Sequence, residues 1–277
     1  MTVSARPAKY LPAAANVGPV NMRAGTPVRA GTYVYDGDDL VTGWHTHDLH
    51  QVEYAFHGVV GVETKTARYL LPPQQAVWIP AGLTHNTTLR RVRTVSVFFD
   101  PAMLDTPDDR ARILAAVPVV REMIVYAARW PITRPASDRV ADTYFEALGQ
   151  LLLDWLEHET PLYLPTSTDP VISGVMAYTD EHLVSVSAGE VARAIGASER
   201  TLRRQFRAAT GMTWRRYLLH SRLLRAMALL AEPGRTVLDI ATSVGFESVS
   251  AFTRAFTQYA GETPSAYRRR VTTTVMP

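Results

Sequence analysis

VARAIGASERTLRRQFRAATGMTWRRY (residues 191–217) and IATSVGFESVSAFTRAFTQYAGETPSAY (residues 240–267) are one pattern written twice. Val191-Ala192-Arg193-Ala194-Ile195-Gly196 aligns with Ile240-Ala241-Thr242-Ser243-Val244-Gly245 at an offset of 49. Phe246 is then inserted, and the offset becomes 50. Ser198, Leu202, Arg204, Phe206, Gly211, Thr213 and Tyr217 pair with Ser248, Phe252, Arg254, Phe256, Gly261, Thr263 and Tyr267. Each copy predicts a short helix, a turn at glycine, a serine N-cap and a second helix that stops at glycine. That is the outline of a helix-turn-helix, here in tandem. A longer helix, about residues 213–231, joins the copies.

The second helix of the first copy carries the chemistry. At about 100° per residue, Leu202, Phe206 and Ala209 fall on one side. Arg200, Arg203, Arg204 and Arg207 fall within about 100° of arc on the other. A solvated face would interleave acids to relieve like-charge repulsion, and only Glu199 is at hand. Four arginines on one face point to an anionic partner. Arginine forks match guanine O6 and N7 in a major groove wide enough for a helix, and they equally hold phosphates. In the second copy Phe252 and Phe256, with Val249 at the edge, form the apolar side. Ser250, Thr253, Arg254 and Thr257 share the exposed arc, a set suited to phosphate contacts with one base contact. An exposed helix without base readout, with Arg254 as a structural ion-pair residue, is the competing reading there.

Working outward, 277 residues suffice for about two domains. Hydrophobic residues at 47% and charged residues at 20% exclude a disordered or collagen-like chain. The absence of cysteine excludes disulfides, thiolate metal sites and cysteine nucleophiles, and it permits a cytoplasmic setting. No apolar run approaches the roughly 18 residues of a membrane span. The proline-broken N-terminus argues against a signal peptide. The net charge of +3 conceals a division. Residues 1–168 hold 15 basic and 17 acidic side chains, and residues 169–277 hold 14 and 9, with every basic residue of that half an arginine. A basic C-terminal half agrees with a polyanionic partner, although arginine richness can also follow genomic base composition.

Ahead of the repeat, residues 31–100 read as short strands rich in Val, Tyr, Phe, Thr and Ile, as in a sandwich or barrel. Residues 59–71 read as a hairpin turning near 65–67. The period then changes, and residues 110–126 and 138–158 read as helices. In the second of these, Val140, Tyr144, Ala147, Leu148, Leu151, Leu152 and Trp155 form one apolar stripe. TPLYLPTSTDP (residues 160–170) has three prolines and no period, which marks a linker.

The strand region also collects histidines: WHTHDLHQ (residues 44–51) and PAGLTH (residues 80–85). On a strand, His45, His47 and Gln51 face one way and His50 the other. Three neutral imidazoles can ligate Zn, Ni or Fe with the Gln51 oxygen as a weak fourth ligand. The alternatives are hydrogen bonds to an organic effector and plain packing, and His50 reads as structural. Trp44, Tyr54 and Trp78 either line a pocket or fill the core.

Residues 170–270 resemble the DNA-binding domain of the AraC/XylS family of transcriptional regulators. The resemblance rests on the tandem repeats, Ala-x-x-Val-Gly-Phe (Ala241 to Phe246), Phe-x-Arg-x-Phe (Phe252 to Phe256) and Gly-x-x-Pro-x-x-Tyr-Arg (Gly261, Pro264, Tyr267, Arg268). It implies base contacts from Arg200, Arg203 and Arg204, and from Val249, Ser250, Thr253 and Arg254, with Arg207 on the same face. It implies both helices in successive major-groove faces. Val249 is less polar than usual for the family, which suits apolar contact with a thymine methyl. The N-terminal half resembles cupins through His-x-His-x3-Gln-x6-Gly (His45, His47, Gln51, Gly58) and Pro-x-Gly-x2-His (Pro80, Gly82, His85). Gln51 stands where metal-binding cupins carry glutamate, and Gln74 stands where the second motif starts with glycine.

Together these imply two domains: an N-terminal all-β cupin or jelly-roll barrel with a helical connector, and a C-terminal all-α tandem helix-turn-helix domain. The divisions expected are 1–110 for the effector-sensing domain, 111–160 for a connector and dimerisation segment, 161–170 for the linker and 171–277 for DNA binding. The function implied is a transcriptional regulator, not an enzyme. Its partners are double-stranded DNA, a small-molecule effector, a second copy of the chain and, for an activator, RNA polymerase, with no membrane. A metal-dependent cupin enzyme competes with this reading, but Gln51 occupies the carboxylate position and no acid/base pair is legible. A purely architectural DNA binder is the third possibility.

Overall fold

The computed structural model describes residues 19–272 apart from 23, 24, 26, 27, 72, 74, 105, 107–109, 116, 137, 158–161 and 233. The N-terminal stretch read for a signal peptide and the Gln74 position therefore lie outside the described residues. The chain separates into two compact units. One runs to Thr64 and resumes over Tyr69–Leu162; the other takes Lys65–Arg68 and everything from Tyr163.

The first unit is sheet-rich. Its strands are β1 (Pro19–Val20), β2 (Ala30–Gly37), β3 (Leu40–Val41), β4 (Thr46–His47), β5 (His50–Thr64), β6 (Ala67–Leu71), β7 (Gln75–Ile79), β8 (His85–Phe99) and β9 (Arg112–Ala115). β1 and β4 form a small parallel pair; the remaining strands belong to one larger sheet. β5 and β8, of 15 residues each, are its spine and run antiparallel along their whole length, from His50 opposite Phe99 to Thr64 opposite His85. β8 also pairs with β2 and β3, and β5 with β7. β6 alternates buried and half-buried positions, as one covered face requires, whereas β7 is buried throughout. The hairpin turns at Lys65–Thr66, between β5 and β6.

Among the described residues this unit also holds two α-helices, α1 (Pro118–Ala127) and α2 (Arg139–Leu156). The helix expected over 110–126 is corrected in its first half. Residues 112–115 are β9, paired antiparallel with β7 from Trp78 opposite Arg112 to Gln75 opposite Ala115. A run as short as Ile113-Leu114-Ala115 has no period of its own, and Pro118 sits where a helix begins, not inside one. The α2 stripe is also divided. Leu148, Leu152 and Trp155 are buried with Ala141 and Phe145, but Val140 and Leu151 are 69% and 39% exposed.

From Pro170 every described element of the second unit is a helix: α3 (Pro170–Glu181), α4 (Ala188–Ala194), α5 (Glu199–Thr210), α6 (Trp214–Ala231), α7 (Val237–Ser243), α8 (Val249–Ala260) and α9 (Pro264–Thr272). The stretch read as linker contains a strand, β10 (Tyr163–Pro165), and the following Thr166 N–H donates to the Thr66 carbonyl at 3.0 Å. Among the described residues no helix is long and apolar enough to cross a membrane.

Candidate nucleic-acid interface and histidine site

The repeat is structural down to its caps. α4 and α7 have seven residues each, α5 and α8 twelve. Ser187 with Glu190 and Thr236 with Asp239 form capping boxes, so each unit starts on the same reciprocal pair of hydrogen bonds. Ser198 and Ser248 accept from the N–H groups of Thr201 and Ala251 and open the second helices. Left-handed Gly211 and Gly261 close them, each supplying the backbone turn that a side chain resists. Inside, Leu202 and Phe206 are fully buried on α5, as are Phe252 and Phe256 on α8. Phe206 meets Tyr217 edge-on at 5.3 Å, and Phe256 meets Tyr267 edge-on at 5.5 Å. Each copy thus seals its core with the same aromatic pair.

With the apolar side held inward, Arg200, Arg203, Arg204 and Arg207 are all exposed on α5. Arg203 donates to Glu199 at 2.6 Å, an i,i+4 pair on the surface. An exposed pair of this kind contributes about 0.5 kcal/mol or less, which an anionic partner can displace. Among the described residues no ion pair engages Arg200, Arg204, Arg207 or Arg254, so the structural reading of Arg254 finds no acid to support it. Ala209, expected inside, is exposed in the last turn of α5. On α8, Ser250 and Arg254 are exposed, while Val249, Thr253 and Thr257 are half-buried; Thr257 spends its hydroxyl on the Thr253 carbonyl at 2.8 Å.

One residue of this unit that sequence reasoning missed is Arg222 on α6. Its Nε donates to the Leu183 carbonyl and its Nη2 to the Val184 carbonyl, both at 2.9 Å. These bonds satisfy groups just beyond the end of α3. Gly245, in the turn before α8, has φ +85° and packs against this same place. A Cβ there would collide with the Val184 carbonyl oxygen and approach Arg222 Nη2 to 2.8 Å. Only glycine meets both the backbone angle and the close approach.

In the sheet-rich unit, the histidines from two separate motifs come together. His45 and His85 exchange both backbone N–H···O bonds, at 2.9 and 3.0 Å, and sit directly opposite. The Gly82 N–H donates to the His47 carbonyl at 2.9 Å and ties the Pro80–His85 turn to β4. The rings of His45 and His85 are 4.3 Å apart, and those of His47 and His85 5.0 Å. One ring nitrogen from each of the three lies within 4.8 Å of the others, and all three residues are buried. Burial pushes all three imidazoles below the usual histidine range, His85 to about 3 with His47 and His45 adding to the shift. Desolvation disfavours the charged form, so the three rings are neutral near pH 7.

Behind them lies a group that the sequence reading passed over. Gln51 Nε2 donates to Glu53 Oε2 at 2.9 Å and to Ser96 Oγ at 3.3 Å, and the Ser96 hydroxyl donates to the same carboxylate. Burial raises the Glu53 pKa, against hydrogen bonds from Ser96, Thr94 and Gln51 that lower it. The missed signal was parity, since Gln51 and Glu53 are two apart on one strand and share a face. His50 is outside the cluster as expected: it stacks on Trp78 at 4.8 Å, and its Nδ1 accepts from the Ala81 N–H. Trp78 and Tyr54 are core, while Trp44 is 42% exposed.

A helix-turn-helix domain model matches residues 191–270. The HTH-type transcriptional regulator NimR of Escherichia coli (strain K12) is 30% identical over 251 residues, covering 89% of this chain and 87% of that protein. The HTH-type transcriptional activator RhaR of E. coli (strain K12) is 34% identical over 137 residues, 48% of either chain. Among solved structures, an AraC-type transcriptional regulator from Chromobacterium violaceum aligns at 25% identity and TM-score 0.36, over 38% of this chain and 94% of that one. With the likeness to NimR running through nearly the whole of both chains and the tandem helix-turn-helix in place, this chain belongs to the AraC-type family of DNA-binding transcriptional regulators.

Proposed function

We propose that the chain is an effector-controlled regulator that reads DNA with α5 and α8 and senses a small molecule through its sheet-rich unit. One observation carries the DNA-reading part. Two helix-turn-helix units of matched element lengths bury the apolar sides of α5 and α8, and Arg200, Arg203, Arg204 and Arg207 are left exposed on the first. Arg200, Arg203 and Arg204 take base edges or phosphates, Arg207 a phosphate, and Val249, Ser250, Thr253 and Arg254 the second groove. Selection of bound sequences from random DNA by the full chain is the test. A motif in two separated parts is expected; recovery of no preferred sequence would leave only an architectural binder.

The effector site in this reading is His45, His47, Gln51 and His85, in a unit that we take to be a cupin-type barrel. It works in the cytoplasm, with RNA polymerase as a partner if the output is activation. A second copy of the chain is the occupant we assign to the outer face of α1 and α2. Val119 and Tyr126 are 56% and 51% exposed on α1, Val140 and Leu151 are 69% and 39% exposed on α2, and a groove of about 590 Å³ lies along α1 up to Tyr144. Exposed apolar surface of this kind marks an interface. A Leu151→Glu chain should sediment as a monomer at concentrations where the unaltered chain is a dimer. Equal sedimentation of the two would remove this face from the assembly.

A further inference from the structure

Glu199 is the only acid of α5, and it makes two contacts. Its Oε2 accepts from Arg203 Nη2 at 2.6 Å. Its Oε1 lies against α4, where a Cβ built on Gly189 would come within 3.3 Å of it. Two further features steady the carboxylate. It stands in the first turn of α5, where the helix end carries partial positive charge. It also precedes Arg203 by four residues, the stronger order for such a pair. At about 100° per residue Arg203 lies about 40° from Glu199, Arg207 about 80°, Arg200 about 100° and Arg204 about 140°. Among the described residues Arg203 alone of these four is ion-paired. The second repeat supplies the comparison. The offset of 50 puts Val249 and Thr253 at the places of Glu199 and Arg203, so α8 has no such clamp.

From this arrangement we infer that Glu199 is a positioning residue, which commits Arg203 to a guanine edge and steers it away from phosphate. The inference rests on the reading of α5 as a DNA-reading helix and adds which arginine specifies a base. Arg203 Nη2 carries two hydrogens, one on each two-pronged edge of the guanidinium. Glu199 takes one of them, which leaves the other edge whole for O6 and N7 of guanine. A phosphate competes on worse terms. It reaches Arg203 beside Glu199 or by displacing it, and either way two anions come close together. A base edge has no net charge and leaves the pair intact. The clamp also acts before contact. A long side chain loses rotamer freedom on binding, and Glu199 has already removed part of that freedom. The carboxylate thus lowers affinity for DNA at large by more than it lowers affinity for the right base pair. Specificity is that difference. Arg200, Arg204 and Arg207 carry no such constraint.

The test uses the full chain, a DNA selected from random sequence and random DNA of equal length, with affinities read by fluorescence anisotropy over a range of salt. Arg203→Ala first locates the G·C pair whose preference it relaxes. In Glu199→Ala, preference for guanine at that pair should fall about three- to tenfold. Affinity for random DNA should rise, with a salt slope steeper by about 0.9 as Arg203 takes up a phosphate. A merely structural loss at the start of α5 would instead weaken both DNAs and shift no base preference. Glu199→Gln, whose amide oxygen still accepts from Arg203, should keep most of the preference while binding random DNA more tightly. In an Arg203→Ala background, Glu199→Ala should leave the preference at that pair where it was. Unchanged preference in Glu199→Ala, or an equal effect with Arg203 already removed, would overturn the clamp and leave the DNA-reading role of α5 standing. An Arg203→Ala chain that relaxes no G·C pair would overturn Arg203 as a base reader, and the clamp with it. Selection that recovers no motif at all would overturn the DNA-reading role itself.

Discussion

Replacing Arg200, Arg203 and Arg204 together by alanine is expected to weaken DNA binding by more than about a hundredfold. An arginine that reads a base contributes about 1–3 kcal/mol, so even the low end summed over three gives about 3 kcal/mol. The helix itself should survive, because all three side chains are exposed and alanine is the best helix former. Fluorescence anisotropy with a selected DNA, repeated at several salt concentrations, measures the loss and also sorts its cause. Each arginine that neutralises a phosphate contributes about 0.9 to the slope of log affinity against log salt, whereas loss of a base reader relaxes sequence preference at one position. An unchanged slope together with unchanged preference would remove this face from the interface. Leu202 and Phe206, fully buried beneath it, are unsuitable for the same test, since their truncation would disturb the fold first.

The second large effect is expected at Gly245, whose φ is +85°. A left-handed backbone costs an alanine about 1–2 kcal/mol. The added Cβ also runs into the Val184 carbonyl oxygen, a backbone atom that cannot turn aside. Overpacking adds about 1–3 kcal/mol, for a total of about 2–5 kcal/mol. Gly211 is the control. It has φ +68° but nothing within 4 Å of a built Cβ, so Gly211→Ala should cost only the backbone contribution. Hydrogen exchange resolved along the chain is the measurement. Protection should fall in α7 and α8 for Gly245→Ala by much more than it falls in α5 for Gly211→Ala. Equal losses would show that the contact with Val184 yields without cost.

The C-terminal unit was legible in the sequence because its determinants are local. A capping residue, an acid three positions on, a glycine stop and an apolar step of three or four residues lie within one helix-turn-helix, and a second copy repeats each position. The sheet-rich unit depends on pairings between distant segments, and these were only partly legible. His45, His47 and His85 could be named from two motifs, but the exchange of backbone bonds that sets His45 opposite His85 could not. Glu53 was missed although it shares a face with Gln51, because a carboxylate in a strand ordinarily reads as solvent-facing. β9 was read as helix since four residues display no period. The α2 stripe misled differently. At about 100° per residue its positions span about 140° of arc. A stripe that wide lets one half pack inward while Val140 and Leu151 look out.

α6 has one further consequence, which concerns spacing along the DNA. Its 18 residues are buried along much of their length between the two repeats. At about 1.5 Å of rise per residue they make a strut of about 27 Å. A turn of double helix measures about 34 Å. If α5 and α8 each read DNA as proposed, a rigid strut of comparable length acts as a ruler, and this helix, instead of any residue that touches a base, sets the distance between the two contacts. Lengthening α6 by one residue would swing the second repeat by about 100° and lift it off the face of the DNA that the first one reads.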